Sequence, residues 1–168
     1  MELQLPKLQA FVISRTFDAP RERVWKSWTE TEHIKHWLGP RGSTVNYSKV
    51  DLRPGGINHY CLATADGQEI WGKQVYREIS RPERLVFVNS FSDEKGGLTR
   101  HPLSPTWPLE LLTTVTLQEQ QDKTIVTVEW LPINPSVAEA KTFDTGREGM
   151  KQGWGGSLDQ LADYLSVL

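Results

Sequence analysis

Cysteine is almost missing from this chain: Cys61 is the only one among 168 residues, so no internal disulfide can brace the fold. Long apolar runs are missing too. The longest are short pieces such as Leu85-Val86-Phe87-Val88, far below the ~18 consecutive apolar residues that a membrane-spanning helix needs. Lysine and arginine form no cluster, and the net charge of −2 comes from interspersed acids and bases, which leaves no electrostatic footprint for nucleic acid or an anionic membrane. The start, MELQLPKLQAF, lacks the basic region and apolar run that direct export, so a cytoplasmic protein without membrane insertion is expected. Repeats, linkers and low-complexity segments are absent, as are a Walker lysine, a nucleophile elbow and a zinc-protease motif. The glycines between Gly146 and Gly156 are no dinucleotide fingerprint either, because that motif follows a strand and opens a helix, whereas these lie inside a helix that opens ten residues earlier.

Tryptophan, by contrast, is abundant. Seven in so short a chain suit the walls of a deep core or pocket, where a large ring with one polar edge packs well. The length fits one domain spanning residues 1–168, enough to bury about two thirds of the unfolded surface. Near the C-terminus, Phe143, Met150, Trp154, Leu158, Leu161 and Leu165 return every three or four residues or at multiples of that spacing, which at about 100° per residue makes one stripe along a helix. Gly146, Gly149, Gly153, Gly155 and Gly156 stand in the same helix, each costing roughly 1 kcal/mol against alanine, so tertiary packing must hold it.

Upstream, Leu8 to Phe17 alternates as a strand, and Asp18-Ala19-Pro20 offers a cap and a helix-start proline. Val24, Trp25 and Trp28 form the buried side of a first short helix. Thr29 to Glu32 reads as a capping box restarting a second, with Ile34, Trp37 and Leu38 inward. Strand periodicity then covers 44–51, 56–64, 69–79, 84–91, 110–119 and 124–131, joined mostly by hairpin-type turns. Ser92 to Pro108 is longer, rich in proline and glycine, and reads as a structured flap. Ser136 to Glu139 forms a capping box that opens the terminal helix. The fold class expected is α+β, an antiparallel sheet gripping one long C-terminal helix, with two short helices after the first strand.

From about Phe11 to Leu165 the chain resembles the activator of heat-shock protein 90 ATPase-like family of the START-like, Bet v 1-like (SRPBCC) superfamily. The marks are Phe17-Asp18-Ala19-Pro20 with Val24-Trp25, Trp37-Leu38-Gly39-Pro40, Arg53-Pro54-Gly55-Gly56, the pair Glu78-Ile79 and Pro82-Glu83-Arg84-Leu85, and Gly153-Trp154 before Leu158, Leu161 and Leu165. The resemblance implies a helix-grip fold: a curved antiparallel sheet wrapped around the terminal helix, with a cavity that binds apolar or amphipathic molecules in many relatives. The family often carries a second tryptophan where Leu38 stands, and aromatic residues where Asn58 and Asn89 stand.

Strict alternation groups Asn58, Tyr60 and Leu62 on one face, Leu85, Phe87, Asn89 and Phe91 on a second, and Val126, Val128 and Trp130 on a third, all turned toward the terminal helix. Asn58 and Asn89 either orient a ligand's polar end or bond each other, Tyr60 or a buried water. Gln74 and Tyr76 compete for the inward face with Trp71, Val75 and Ile79, and a bulge could decide between them. Arg147, about 40° from Phe143 on the helical wheel, either clamps an anion or snorkels to the rim or pairs with Glu110. Gly149, Gly153 and Gly156 give a ligand close backbone access, pack against the first two helices or mark a kink. In the flap, His101 and Glu110 form the acid-base pair to test if the chain is an enzyme, with Trp107 as an aromatic plate that otherwise just anchors the loop. His33 and His36 lack a third ligand and are expected at the surface; His59 and Cys61 are expected on the outer face. No metal or cofactor is expected.

Three functions compete. The first is binding of an apolar or amphipathic small molecule by residues drawn from Trp28, Trp37, Asn58, Tyr60, Gln74, Phe87, Asn89, Trp107, Trp130, Phe143, Arg147, Met150 and Trp154. The second is a cyclase-, hydrolase- or isomerase-like enzyme using the cavity mouth. The third, implied by the family name, is a module acting on a chaperone. An exposed edge strand is compatible with a homodimer.

Overall fold

The computed structural model describes residues 7–168. Strand β1 (Phe11–Phe17) leads into α1 (Arg21–Thr29) and α2 (Thr31–Ile34). Then come β2 (Thr44–Val50), β3 (Ile57–Ala63), β4 (Glu69–Ser80), β5 (Arg84–Ser92), β6 (Leu98–Thr99), β7 (Leu111–Gln120) and β8 (Lys123–Pro132), followed by α3 (Val137–Thr145) and α4 (Arg147–Ser166). The strands form one antiparallel sheet in the order β1-β8-β7-β5-β4-β3-β2, with β6 paired to β5. This is the expected helix-grip arrangement, with β1 and β2 at the two edges.

Packing explains which residues go inside. Val24, Trp25 and Trp28 of α1, Leu158, Leu161 and Leu165 of α4, and Tyr76, Leu85, Phe87, Val115, Val126 and Val128 of the sheet share the main core. Fully burying one such side chain is worth about 1.5–3 kcal/mol, so the helical stripe, and not intrinsic propensity, holds α4 in place. A second cluster joins Phe11, Leu111, Phe143 and Met150 at the opposite end. Among the described residues no helix is long and apolar enough to cross a membrane.

The bulge in β4 settles its ambiguous face. Pairing with β5 shifts register between Tyr76 and Glu78, so the strand changes parity there. Gln74 and Tyr76 therefore point inward before the shift, while Ile79 packs on the same core after it.

Three local expectations are corrected. The box from Thr29 to Glu32 does not form, because Thr29 still belongs to α1 and spends its hydroxyl on Trp25 O at 2.9 Å; α2 starts instead after an extended Glu30. Helix α1 is capped by Pro20 itself, without an Asp18 side-chain bond. The terminal helix is two helices joined at Gly146, where the flap's Trp107 lies 3.6 Å from the position a Cβ would take. The capping box at Ser136 does form: Ser136 Oγ accepts from Glu139 N at 3.1 Å and Glu139 Oε1 accepts from Ser136 N at 3.0 Å.

Candidate functional site

Between the inner face of β3 to β5, helix α4 and the segment 101–108 lies a cavity of about 810 Å³, within the size range of small-molecule sites, about 300–1,000 Å³. Two features of the sequence create the space. Gly149 and Gly153 turn toward it from α4, and no atom comes within 4 Å of a Cβ built on either. Gly72, on β4 directly opposite Tyr60, has no side chain, so the tyrosine lies across the strand; a Cβ there would stand 2.6 Å from the Tyr60 hydroxyl. By contrast, Gly156 packs against Arg41, whose Cβ is 3.3 Å from the position of its own missing Cβ.

A chain of aromatic rings forms one wall and continues into the core behind it. Trp37 meets Trp28 at 4.6 Å between centroids, Trp28 stacks on Trp154 at 6.0 Å, Trp154 meets Trp130 edge-on at 5.5 Å, and Trp130 meets Trp107 at 6.3 Å. His101 continues the chain to Phe91, with centroids 6.5 Å from Trp107 and 4.8 Å from Phe91. Edge-on contacts of this kind suit the ring quadrupoles. They run from the buried base of the molecule, at Trp37, to the flap.

The floor is polar. Asn58, fully buried, donates through Nδ2 to Gln74 Oε1 at 3.2 Å and accepts from the Ser48 hydroxyl at 3.2 Å. Asn89 Oδ1 accepts from the buried Thr113 hydroxyl. The two asparagines thus bond neither each other nor Tyr60. Burial alone pushes the Tyr60 phenol up to about 12, which keeps it neutral.

Of the sequence-derived candidates, Tyr60, Gln74, Phe87, Asn89, Trp107, Trp130, Met150 and Trp154 line the cavity, together with His101. Trp28, Trp37 and Asn58 lie behind it around a minor void that Gln74 also borders. Phe143 is fully buried in the second core cluster. Arg147 is neither a clamp in the cavity nor a partner of Glu110. It donates to Asp144 at 2.9 Å and to the backbone carbonyls of Ala10 and Gln9 at 3.2 and 2.6 Å, and it lies over the Phe143 ring, fixing the chain just before β1 to the base of α4. His101 and Glu110 share no hydrogen bond among the described residues. His101 Nδ1 accepts from Leu103 N at 2.9 Å instead, and burial lowers its pKa.

The flap is pinned from below. The Glu139 carboxylate, having capped α3, also accepts from Leu109 N and from Arg100, both at 3.1 Å. At the other end of the mouth, Ser157 and Gln160 of α4 hold the Gly39 carbonyl. Neither device was read from the sequence. Gly72 was also passed over, although its place opposite Tyr60 follows from the hairpin at Asp66-Gly67.

Outside the cavity, His36 is exposed as expected and stacks on Tyr164, whereas His33 is half-buried, its Nδ1 2.6 Å from the hydroxyl of the same ring. His59 faces outward against Trp71 and Tyr47. Cys61 is buried under that outer cluster, and burial raises its thiol pKa. Among the described residues no three His, Cys, Asp or Glu side chains are grouped to hold a metal ion.

Solved structures share this architecture. A protein from Arthrobacter aurescens is similar with a TM-score of 0.77 at 24% identity, over 96% of this chain and 88% of the other. A protein from Nitrosomonas europaea gives 0.75 at 22%, over 96% and 97% of the two chains. One from Rhodobacter sphaeroides gives 0.75 at 16%, over 99% of each. At such identities the likeness concerns the fold alone. No curated protein matches the sequence. The sequence does match a family model over residues 18–166, nearly the whole of the helix-grip architecture described above, and the chain belongs to that family, Activator of Hsp90 ATPase homolog 1-like protein.

Proposed function

We propose that the chain binds an apolar or amphipathic small molecule in the cavity between sheet and α4. The observation that carries this reading is the combination of about 810 Å³ of space, a tryptophan wall and a short row of polar groups on the floor. Apolar walls supply the affinity and a few fixed polar groups set the orientation. Tyr60, Gln74, Phe87, Asn89, Trp107, Trp130, Met150 and Trp154 would contact the molecule.

The arrangement gives less support to catalysis. His101 is bonded to its own loop, burial lowers its pKa, and among the described residues no carboxylate is bonded to it to complete an acid-base pair. A chaperone-associated role has the family description in its favour. Native mass spectrometry of the purified protein, followed by titration of its tryptophan fluorescence with apolar aromatic compounds, tests the binding reading. A co-purifying mass or saturable quenching is expected. An unresponsive protein that instead enriches a chaperone in a pull-down would replace it with the second reading.

A further inference from the structure

The polar floor of the cavity has a direction. Ser48 donates to Asn58 Oδ1, and Asn58 Nδ2 donates to Gln74 Oε1, so the acceptor end of Gln74 is used inside the protein. Its Nε2, carrying two N–H groups, has no hydrogen bond among the described residues, although Gln74 is only 9% exposed and lines the cavity. One strand over, Thr113 donates to Asn89 Oδ1, which leaves Asn89 Nδ2 for the cavity by the same logic. Gln74 and Asn89 are register partners on β4 and β5, so their Cβ atoms stand about 4.5–5.5 Å apart on one face. The Tyr60 hydroxyl, also without a hydrogen-bond partner among the described residues, adds a third neutral donor on the neighbouring strand.

This set discriminates among ligands. No lysine or arginine among the described residues lines the cavity, and Arg147 is held by Asp144 and two backbone carbonyls. An anion would leave water without meeting a counter-charge. A ligand N–H placed between the two amides would face other N–H groups. An uncharged carbonyl oxygen, with two lone pairs, can accept from both amides at once.

Resting on the reading of the cavity as a ligand site, we infer that the amides of Gln74 and Asn89 form a carbonyl-binding pair that selects uncharged ketones over ligands that offer a donor or a negative charge in the same place.

Four probes of one ring shape decide it: fluorene has no polar group, 9-fluorenone an acceptor, carbazole a donor and fluorene-9-carboxylate a charge. Dissociation constants come from tryptophan quenching, each corrected for the probe's octanol–water partition. Fluorenone should bind about tenfold more tightly than fluorene, the yield of two neutral hydrogen bonds, with carbazole and the carboxylate weaker than fluorene. The carbonyl stretch of bound fluorenone should move to lower wavenumber than in alkane. In the double variant Asn89→Leu/Thr113→Val, which removes both partners of one bond and strands neither, most of the preference and of the infrared shift should disappear. Equal binding of fluorenone and fluorene, or a preference for carbazole, overturns the donor pair and leaves the cavity reading intact. Failure of every probe, fluorene included, overturns the cavity reading itself. The wild-type series is decisive even if the double variant does not fold.

Discussion

The Ser157 hydroxyl donates to the backbone carbonyl of Gly39 at 2.6 Å, and one turn further along α4 Gln160 reaches the same oxygen at 2.9 Å and Trp37 O at 3.0 Å. The loop after α2 is thus fastened to the last helix at the cavity rim. Gly39 needs its φ of +105°, and a Cβ there would meet Ser43 Oγ at 2.6 Å. Because either side chain alone satisfies the Gly39 carbonyl, Ser157→Ala and Gln160→Ala should each cost about 1 kcal/mol or less, while the double variant should cost more than their sum. A double-mutant cycle in urea measures this. Strict additivity would show that the two donors do not share the carbonyl.

Glu139 joins three segments, accepting from Ser136 N, Leu109 N and Arg100. These bonds, the one from the Ser136 backbone foremost, hold its carboxyl down to about 2 against an ordinary value of 4.5. A depressed folded-state pKa means that the unfolded chain takes up the proton first, so the contribution is complete above pH 4.5 and is lost as pH falls toward 2. Glu139→Gln should cost about 1–2 kcal/mol at pH 7, with the gap to wild type closing as the pH falls from 4.5 to 2. Denaturation midpoints of both proteins across that range provide the check. A gap that stays constant would count against the clamp.

Gly149 and Gly153 set function against stability. Each sits in a helix where alanine would be preferred, and no atom lies within 4 Å of an added Cβ. Gly149→Ala and Gly153→Ala should therefore each stabilise the protein by about 0.5–1 kcal/mol. A larger side chain would project into the cavity, so Gly153→Phe should abolish saturable quenching by fluorene while leaving the fold intact. Thermal melts and probe titrations on the same samples separate the two effects. Unchanged fluorene binding in Gly153→Phe would place the probe elsewhere.

How much of this the sequence carried depended on the range of the interaction. Strand faces were legible wherever the period of two runs without a bulge: Asn58, Tyr60 and Leu62 were grouped on one inward face from alternation alone, and Asn58 is fully buried there while Tyr60 and Leu62 line the cavity. The capping box at Ser136 was legible because it is closed within four residues. The break at Gly146 was not, since the apolar stripe runs on across it, with Phe143 of α3 and Met150 of α4 in the same cluster. The partners of Arg147 were hidden for a different reason. Its partners include backbone carbonyls just before β1, and a backbone oxygen leaves no mark in a sequence. The amide pair falls between these cases. The residue types were visible, but the direction of their hydrogen bonds depends on Ser48 and Thr113, which only the folded sheet brings alongside.

His101 couples the cavity mouth to pH. Its Nδ1 accepts from Leu103 N at 2.9 Å, which assigns the proton to Nε2, and burial lowers its pKa from the ordinary 6.5. The sign follows directly: the neutral ring is favoured in the folded state, so its stabilising contribution is present above pH 6.5 and is lost as pH falls through the lowered folded value. Protonation places a second N–H against the Leu103 amide, opening the turn, and adds the positive charge that the cavity lining otherwise lacks. Fluorene-9-carboxylate should therefore bind more tightly as pH drops from 7 to 5 in wild type, by roughly the factor that one partly shielded charge pair supplies, about three- to tenfold, whereas fluorenone affinity should hardly change. In His101→Asn the carboxylate's gain should vanish. Imidazole resonances followed by NMR across the same titration identify the group, and a His101 that titrates at or above 6.5 would break the link between its burial and the behaviour of the mouth.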